Sequence, residues 1–321
     1  MPKQRKSGKL RLMPPDRILP NPENPRLFFR QEEMETLMVS INEYGVQVPV
    51  TVYQEGDVYH LIDGQRRWTC AKKLNLATIP AVVQEKPSPL ENLLLMSNIH
   101  ALREQWDYFT IASNLKRIME LFLEERGYEP NESDLSKQTG LTRGQIRRCQ
   151  LLLDLPDHFK EMLTQELELP KPQQVISEDL FIEMERALKT VRNRLPEFEE
   201  RLDEVRNTLV KKFRSGTIDS VTDFRQLSKI ATAIDNIGIK KSKAERALNT
   251  LFDPDNDVSI REVYKHTVEF GYDERKAAQH VGFLNEYFAE LIEDKKRDLL
   301  DEDFIEQLRE LYGRLKALLE T

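Results

Sequence analysis

Cysteine is scarce: 321 residues hold only Cys70 and Cys149, far apart in sequence. That argues against a disulfide framework and for a reducing, cytoplasmic setting. No apolar run approaches the ~18 residues that a membrane-spanning helix needs. The basic start MPKQRKSGKLRLMPP lacks the apolar core of a secretory signal. The five histidines (His60, His100, His158, His266 and His280) are scattered, without the clustering of a zinc site, and read as structural or surface residues. Net positive charge is missing too. At −7 the chain is not one that coats nucleic acid by bulk charge, although local basic patches remain open to it.

What is present suits a globular protein of about two domains, at roughly 150 residues each. Hydrophobic residues make up 39%, enough for real cores. The charged share of 32% exceeds the usual ~25% and implies much exposed helix. Residues 1–15 carry Lys3, Arg5, Lys6, Lys9 and Arg11 with no acid before Asp16, and read as a flexible basic arm. Such an arm is either solvated or a contact for nucleic acid or a partner.

From Arg17 to Gln84 the pattern is mixed α/β. EEMETLMVSINEYG places Met34, Leu37, Met38 and Ile41 on one helix face, and Gly45 suits a left-handed cap. VPVTVY and DVYHLID flank a Gln-Glu-Gly turn and suit a hairpin. A helix over about 65–74 and the short strand IPAVVQ follow. Residues 88–127 read as helical, with Leu90, Leu93, Leu94 and Leu95 in the core. Residues 131–155 read as two short helices around a Thr-Gly-Leu-Thr turn. Beyond PKPQ the chain is nearly all helix, with breaks near Pro196, Gly216, Gly238 and Pro254. The expected architecture is α+β: a small α/β domain at 16–105, a helix-turn-helix domain at 106–172 and a helical C-terminal domain at 173–321.

The segment Leu61-Ile62-Asp63-Gly64-Gln65-Arg66-Arg67-Trp68 runs strand, glycine, first helical turn, with two arginines on that turn. Glycine lets a backbone approach a ligand closely. A helix N-terminus offers N–H groups to phosphate, and arginine adds bidentate contacts. Local chemistry alone fits an exposed basic helix start equally well.

Asn131 to Pro156 reads NESDLSKQTGLTRGQIRRCQLLLDLP. Gly140 suits the turn, and Thr142 with Gln145 forms a capping-box pattern. The second helix then carries Arg143, Gln145, Arg147 and Arg148 near its start, where a recognition helix meets base edges. Ile146, Leu151 and Leu152 would face the core. Lys137 and Arg143 suit phosphates, Gln145 and Arg147 suit bases. The alternative is a plain helical hairpin with a solvated basic face; turn, cap and basic residues together favour DNA.

NPENPR (Asn21 to Arg26), GVQVP (Gly45 to Pro49), DGQRRW with CAKKLNLATIPAVV, and SNIHALRE (Ser97 to Glu104) occur in that order, followed by the helix-turn-helix. The ordered set resembles the N-terminal domain of the ParB/RepB-like partition proteins, with their NPxQPR, GxxQP, GERRxRAAKxxGxxxIPxIV and ENxxR patterns, over roughly residues 15–170. The resemblance implies the ParB/sulfiredoxin-like fold and a CTP site. In that site Gly64, Gln65, Arg66 and Arg67 would meet the triphosphate, with Arg26 and Arg103 reaching the same pocket. Gly45, Gln47 and Pro49 would meet the base, and Asn98 would help hold Mg2+. It also implies double-stranded DNA as partner, a homodimer closing as a clamp, a ParA-like ATPase docking on the arm, and a location on nucleoid or plasmid.

The sequence departs from the family at Gln65 and Ser97, both usually glutamate, at Val48, usually glutamine, and at Arg103, displaced by two residues. No catalytic residue is assigned, and at most a weak CTPase is expected. Two rivals remain: a phosphotransferase on the same fold, although sulfiredoxin-like enzymes carry a catalytic cysteine where this chain has Gln65, and a nucleotide-free DNA-binding adaptor. In the C-terminal region Phe304, Leu308, Leu311, Leu315 and Leu318 form a stripe at intervals of 4, 3, 4 and 3. Packing inside the C-terminal domain accounts for it, with dimerisation as the alternative.

Overall fold

A computed structural model describes residues 8–21, 31–100 and 107–320, without the side chains of 31–33, 99 and 100. The chain forms two compact units, Met1–Leu188 and Lys189–Thr321.

The first unit opens on a five-stranded sheet of β1 (Lys9–Met13), β2 (Ile18–Leu19), β3 (Val50–Glu55), β4 (Val58–Asp63) and β5 (Ile79–Gln84), ordered β1-β5-β3-β4-β2. β3 and β4 make the antiparallel hairpin expected from the sequence, turning at Gly56 with φ +60°. β5 runs parallel to β3, and β2 parallel to β4. Helix α1 (Gln31–Tyr44) stops at Gly45, whose φ of +68° and N–H bond to the Ile41 carbonyl make the left-handed cap. Met34 and Ile41 of α1 and Cys70 and Ala71 of α2 (Gln65–Lys73) are buried with Val50, Val52, Leu61, Ile79 and Ala81 of the sheet. Alternating β-branched residues and one apolar helix stripe are therefore enough to build this core.

One expectation needs correction. Residues 9–13, read as part of a flexible arm, form edge strand β1, paired antiparallel with β5 from Lys9↔Val83 to Met13↔Ile79. An edge strand needs backbone pairing more than side-chain burial, so it left little trace in the sequence: Lys9 to Leu12 are all exposed, and only Met13 is buried. The Trp68 indole N–H then donates to the Pro15 carbonyl at 2.9 Å, pinning the segment to α2. Residues 1–7 lie outside the described residues.

Helices α3 (Pro89–His100) and α4 (Tyr108–Arg126) lead into α5 (Glu132–Thr139), α6 (Arg143–Leu153) and α7 (Asp157–Glu168). Leu90, Leu93 and Leu94 are buried as expected, whereas Leu95 is half-buried. Helix α8 (Glu178–Arg194) spans the division between the units.

The second unit is helical: α9 (Leu202–Arg214), α10 (Phe224–Asn236), α11 (Lys241–Phe252), α12 (Ile260–Tyr264), a π-turn at Lys265–Glu269, α13 (Phe270–Glu293) and α14 (Glu302–Leu319). Gly216 and Gly238, at φ +83° and +68°, follow the ends of α9 and α10, matching the predicted breaks. The core is drawn from α9 to α12, with Leu209, Phe224, Leu227, Leu248 and Ile260 fully buried. Buried Lys212 donates to the Leu251 and Val258 carbonyls at 2.7 and 3.0 Å, tying α9 to the end of α11.

The stripe on α14 is not absorbed by this core. Neither α13 nor α14 has a buried residue, and Leu311, Leu315 and Leu318 are exposed.

Candidate nucleotide site and nucleic-acid interface

The fold brings together two of the motifs that the sequence holds apart. β4 ends at Asp63, Gly64 turns the chain, and α2 begins at Gln65. Gly64 has φ +98°, a region favouring glycine, and a Cβ there would lie 2.7 Å from Val50 Cγ1 and 3.2 Å from Arg67 Cζ. No side chain caps the first turn of α2. The backbone of this turn is thus drawn tight against β3, and the helix start offers uncapped peptide dipoles.

Arg67 binds the other motif. Its guanidinium donates to the Val48 and Pro49 carbonyls at 2.6 and 2.7 Å and pairs with Asp63 at 2.9 Å. The loop 45–49 is held beside the Gly64 turn by this one side chain. Arg66 and Gln65 are half-buried on the same turn. Gly45, Gln47 and Val48 are exposed, and the Gln47 amide donates to the Tyr44 carbonyl. Gly45, Gln47, Pro49, Gly64, Gln65, Arg66 and Arg67 therefore belong to two neighbouring segments, and Arg67 has a structural duty that its position in a motif did not reveal. Arg26 and Arg103 lie outside the described residues.

Asn98 sits exposed near the end of α3, where its amide donates to the Leu94 and Gln138 carbonyls at 2.8 and 3.0 Å. It links α3 to the end of α5, and its amide oxygen is the only group it could offer a cation. Ser97 is buried, and the Asn114 amide donates to its hydroxyl. Among the described residues no group of three His, Cys, Asp or Glu side chains could hold a metal ion. Sequence reading also missed a reciprocal amide pair. Asn21, first residue of the NPENPR motif, and Asn92 of α3 donate to one another at 3.2 Å in a buried setting. Two buried asparagines spaced 71 residues apart carry no sequence signal of pairing.

Cys70 is fully buried in the core, and burial pushes its thiol above the ordinary range. Cys149 is buried too, its thiol pushed up to about 12 by desolvation. Neither suits nucleophilic thiol chemistry.

The helix-turn-helix is formed as the sequence indicates. Asn131 caps α5 in a capping box with Asp134. Gly140 turns with φ +77°, and Thr142 caps α6 with Gln145 as its box partner. Leu135, Leu141, Ile146, Cys149 and Leu152 are buried, while Leu151 is half-buried rather than core. Lys137, Thr142, Arg143 and Arg147 are exposed.

Three side chains on α6 carry prior engagements. Gln145 accepts from the Thr142 N–H and hydroxyl at 2.9 and 3.0 Å. Arg147 forms a forked pair with Glu132 of α5, its Nε 3.1 Å from both oxygens; this pair holds the Glu132 carboxyl below and the Arg147 guanidinium above their ordinary pKa. Arg148 pairs with Asp179 and lies over the Tyr108 ring at 4.7 Å, packing α6 to α8 and α4. The least committed cations on the exposed face are Lys137 and Arg143.

Comparison with known proteins finds relatives over part of the chain. The probable chromosome-partitioning protein ParB of Helicobacter pylori is 31% identical over 152 residues, 47% of this chain and 50% of that one. This chain thus spans about half the length of that relative. The C-terminally truncated ParB of Caulobacter crescentus is similar in two solved forms. One, complexed with CTP-gamma-S, is 27% identical over 52% of this chain and 91% of that chain, with a TM-score of 0.29. The other, complexed to the centromeric parS site, is 22% identical over 68% and 98%, with a TM-score of 0.44. Residues 1–99 match the family described as the ParB N-terminal domain. With the motifs in that order and a left-handed glycine at the Gly64 turn, it is this first part of the chain that is similar to the ParB N-terminal domain.

Proposed function

We propose that the chain is a nucleotide-regulated, sequence-specific DNA-binding protein of the ParB type, acting in plasmid or chromosome partition or as a related regulator on a mobile element. The observation that carries this reading is the Gly64 turn. A tight left-handed glycine opens an uncapped helix bearing Arg66, with the 45–49 loop fastened alongside by Arg67. That is a phosphate cradle with a neighbouring wall for a base. CTP is the nucleotide implied by the motif order. The phosphates would meet the 64–66 backbone and Arg66, while Arg67 positions the wall. Mg2+, when bound, would neutralise phosphate charge; this chain would contribute the Asn98 amide oxygen and leave the remaining ligands to phosphate and water.

The helix-turn-helix supplies the second half of the reading. Lys137 and Arg143 would anchor phosphates, and Arg147, once released from Glu132, would reach a base edge. Two subunits would close around DNA when nucleotide binds, and residues near the N-terminus would dock a ParA-like ATPase. The test is calorimetric titration with CTP, GTP, ATP and UTP in turn, with and without a DNA site selected from a random pool. Binding of CTP in preference to the others, together with enrichment of one DNA sequence, is expected. No affinity for any nucleotide reduces the protein to a DNA-binding adaptor, and no selected sequence removes the DNA reading.

A further inference from the structure

Within the second unit, α10 and α11 repeat the local pattern of α5 and α6. Three residues join α5 to α6 and four join α10 to α11, the length that a helix-turn-helix uses. Each turn holds a left-handed glycine, Gly140 at φ +77° and Gly238 at φ +68°. Aligned on these glycines, Leu135, Leu141, Ile146 and Cys149 fall on Ala233, Ile239, Ala244 and Ala247. Ala233 and Ala244 are fully buried, and Ile239 and Ala247 are half-buried. The residue that opens each second helix, Thr142 or Lys240, is extended. Helix α12 lies against both α10 and α11 and completes a three-helix unit. Small apolar residues therefore seat α11 on α10 as larger ones seat α6 on α5.

The start of α11 breaks two rules that other helices of the chain obey. Helices α4, α5, α6, α12 and α14 each open on a side chain that accepts a first-turn N–H. Helix α11 opens on Lys240, which makes no such bond, and its first turn holds no acid. It holds Lys241 and Lys243 instead, so cations sit at the positive end of the helix dipole. Helix α2, at the candidate nucleotide turn, also opens without a cap or an acid. Local rules broken at one place, with no gain in packing, mark a surface kept for a ligand.

The exposed face identifies the ligand. Residues 236–250 hold Lys240, Lys241, Lys243 and Arg246 against the single acid Glu245, in a chain of net charge −7. Lys241 is shared between Glu197 at 3.2 Å and Glu245 at 3.7 Å. Lys240 and Lys243 are exposed and, among the described residues, make no ion pair. Arg246 is exposed, and its Nε donates only along its own helix, to the Ser242 carbonyl at 3.2 Å. Asn249, the amide on this face, already accepts from Arg201 at 3.2 Å. The face thus offers cations for phosphate and no uncommitted amide for a base edge. No aromatic side chain lies between Lys240 and Thr250 on which an unpaired base could stack, which favours a duplex over a single strand.

We infer that α10–α11 is a second DNA-binding element, in which Lys240, Lys243 and Arg246 grip the phosphates of duplex DNA without reading its sequence. It needs neither the nucleotide site nor α6.

The test is fluorescence anisotropy of a labelled random-sequence duplex titrated with the full chain, at salt from about 50 to about 200 mM. Lys137→Ala with Arg143→Ala, which disarms α5–α6, should leave part of the wild-type affinity. Adding Lys240→Ala and Lys243→Ala should weaken the remainder by ~10-fold and lower the slope of log affinity against log salt by ~2. Lys240→Arg with Lys243→Arg keeps both charges and should bind as wild type does. The urea midpoint of the alanine variant should hold or rise, since both sites are exposed and the helix dipole is relieved. A salt slope indifferent to the alanine substitutions, or an arginine variant as weak as the alanine one, would overturn the inference. Binding lost entirely with Lys137 and Arg143 would overturn it too, and would leave the α5–α6 reading in place. So would polyglutamate binding that vanishes with Lys240 and Lys243 while duplex binding stays, which would mark an acidic protein as the partner.

Discussion

Gly64→Ala tests the tightness of the candidate phosphate turn. The substitution adds one methyl group in a region of backbone space that L-residues avoid, at a cost of ~1–2 kcal/mol. It also drives that methyl to 2.7 Å from Val50 Cγ1 and 3.1 Å from Val50 Cβ. Val50 is fully buried and cannot swing aside, so overpacking adds ~1–3 kcal/mol. The sum is ~2–5 kcal/mol. Gly45→Ala is the internal control: its φ is +68° but a Cβ would meet nothing within 4 Å, leaving backbone strain of ~1–2 kcal/mol alone. Both tryptophans, Trp68 and Trp106, precede residue 189 in sequence, where the second unit begins, so indole fluorescence during urea unfolding serves as the probe for the first unit. The Gly64 variant should unfold at clearly lower urea than the Gly45 variant, and should bind no nucleotide even where folded. Equal midpoints for the two variants would show that the turn relaxes freely, and the close-approach argument would fail.

Arg66→Ala should abolish nucleotide binding with little loss of stability. Arg67→Ala should lower stability by ~1–3 kcal/mol as well, because it strips the Val48 and Pro49 carbonyls and Asp63 of their shared donor; calorimetry beside urea unfolding separates the two. For DNA, Lys137→Ala should weaken all sequences alike and flatten the salt dependence, whereas Arg147→Ala should cost ~1–3 kcal/mol at the selected site only. Glu132→Ala, which frees Arg147, should tighten binding to that site, and a loss of affinity would show that the forked pair presents the arginine productively. Phosphate release should be slow or undetectable, since Gln65 and Ser97 replace carboxylates. Gln65→Glu is the informative variant, because Ser97 is buried against Asn114 and a glutamate there would desolvate its charge. Burial pushes the Glu178 carboxyl up from its ordinary 4.5, with Asp107 adding to the shift. The folded state then holds its proton longer than the unfolded one, so stability falls as pH rises from 4.5 through the raised value. Glu178→Gln should flatten that slope in urea midpoints measured across pH.

Legibility followed the range of the forces involved. The α1 helix, the β3–β4 hairpin, β5 and the helix-turn-helix were readable because each is specified within a dozen residues by periodicity, a turn glycine or a cap. β1 was not, since an edge strand is held by backbone bonds to β5, seventy residues later. Among the candidate site residues, sequence gave the chemistry of each side chain but not its partner. Gln145 was read both as a cap and as a base reader, and its one carbonyl oxygen already accepts twice from Thr142. Arg147 and Arg148 look alike as neighbours, yet one is tied to α5 and the other to α8 and Tyr108.

The same distinction explains why an exposed arginine is not automatically a reader. A guanidinium held by a carboxylate must surrender that pair before it can grip a base. The net gain from a DNA contact is the difference between two charge-assisted bonds rather than the full strength of one. On the proposed DNA reading Glu132 would act as a competitor for Arg147 that a base edge must displace, and a wrong base edge would displace it less readily. Lys137 and Arg143, without such a fork, gain from any phosphate. On the proposed DNA reading the face would divide accordingly into cations that hold DNA of any sequence and one that discriminates. Removing Glu132 should then raise affinity for random DNA more than for the selected site, narrowing the ratio between them.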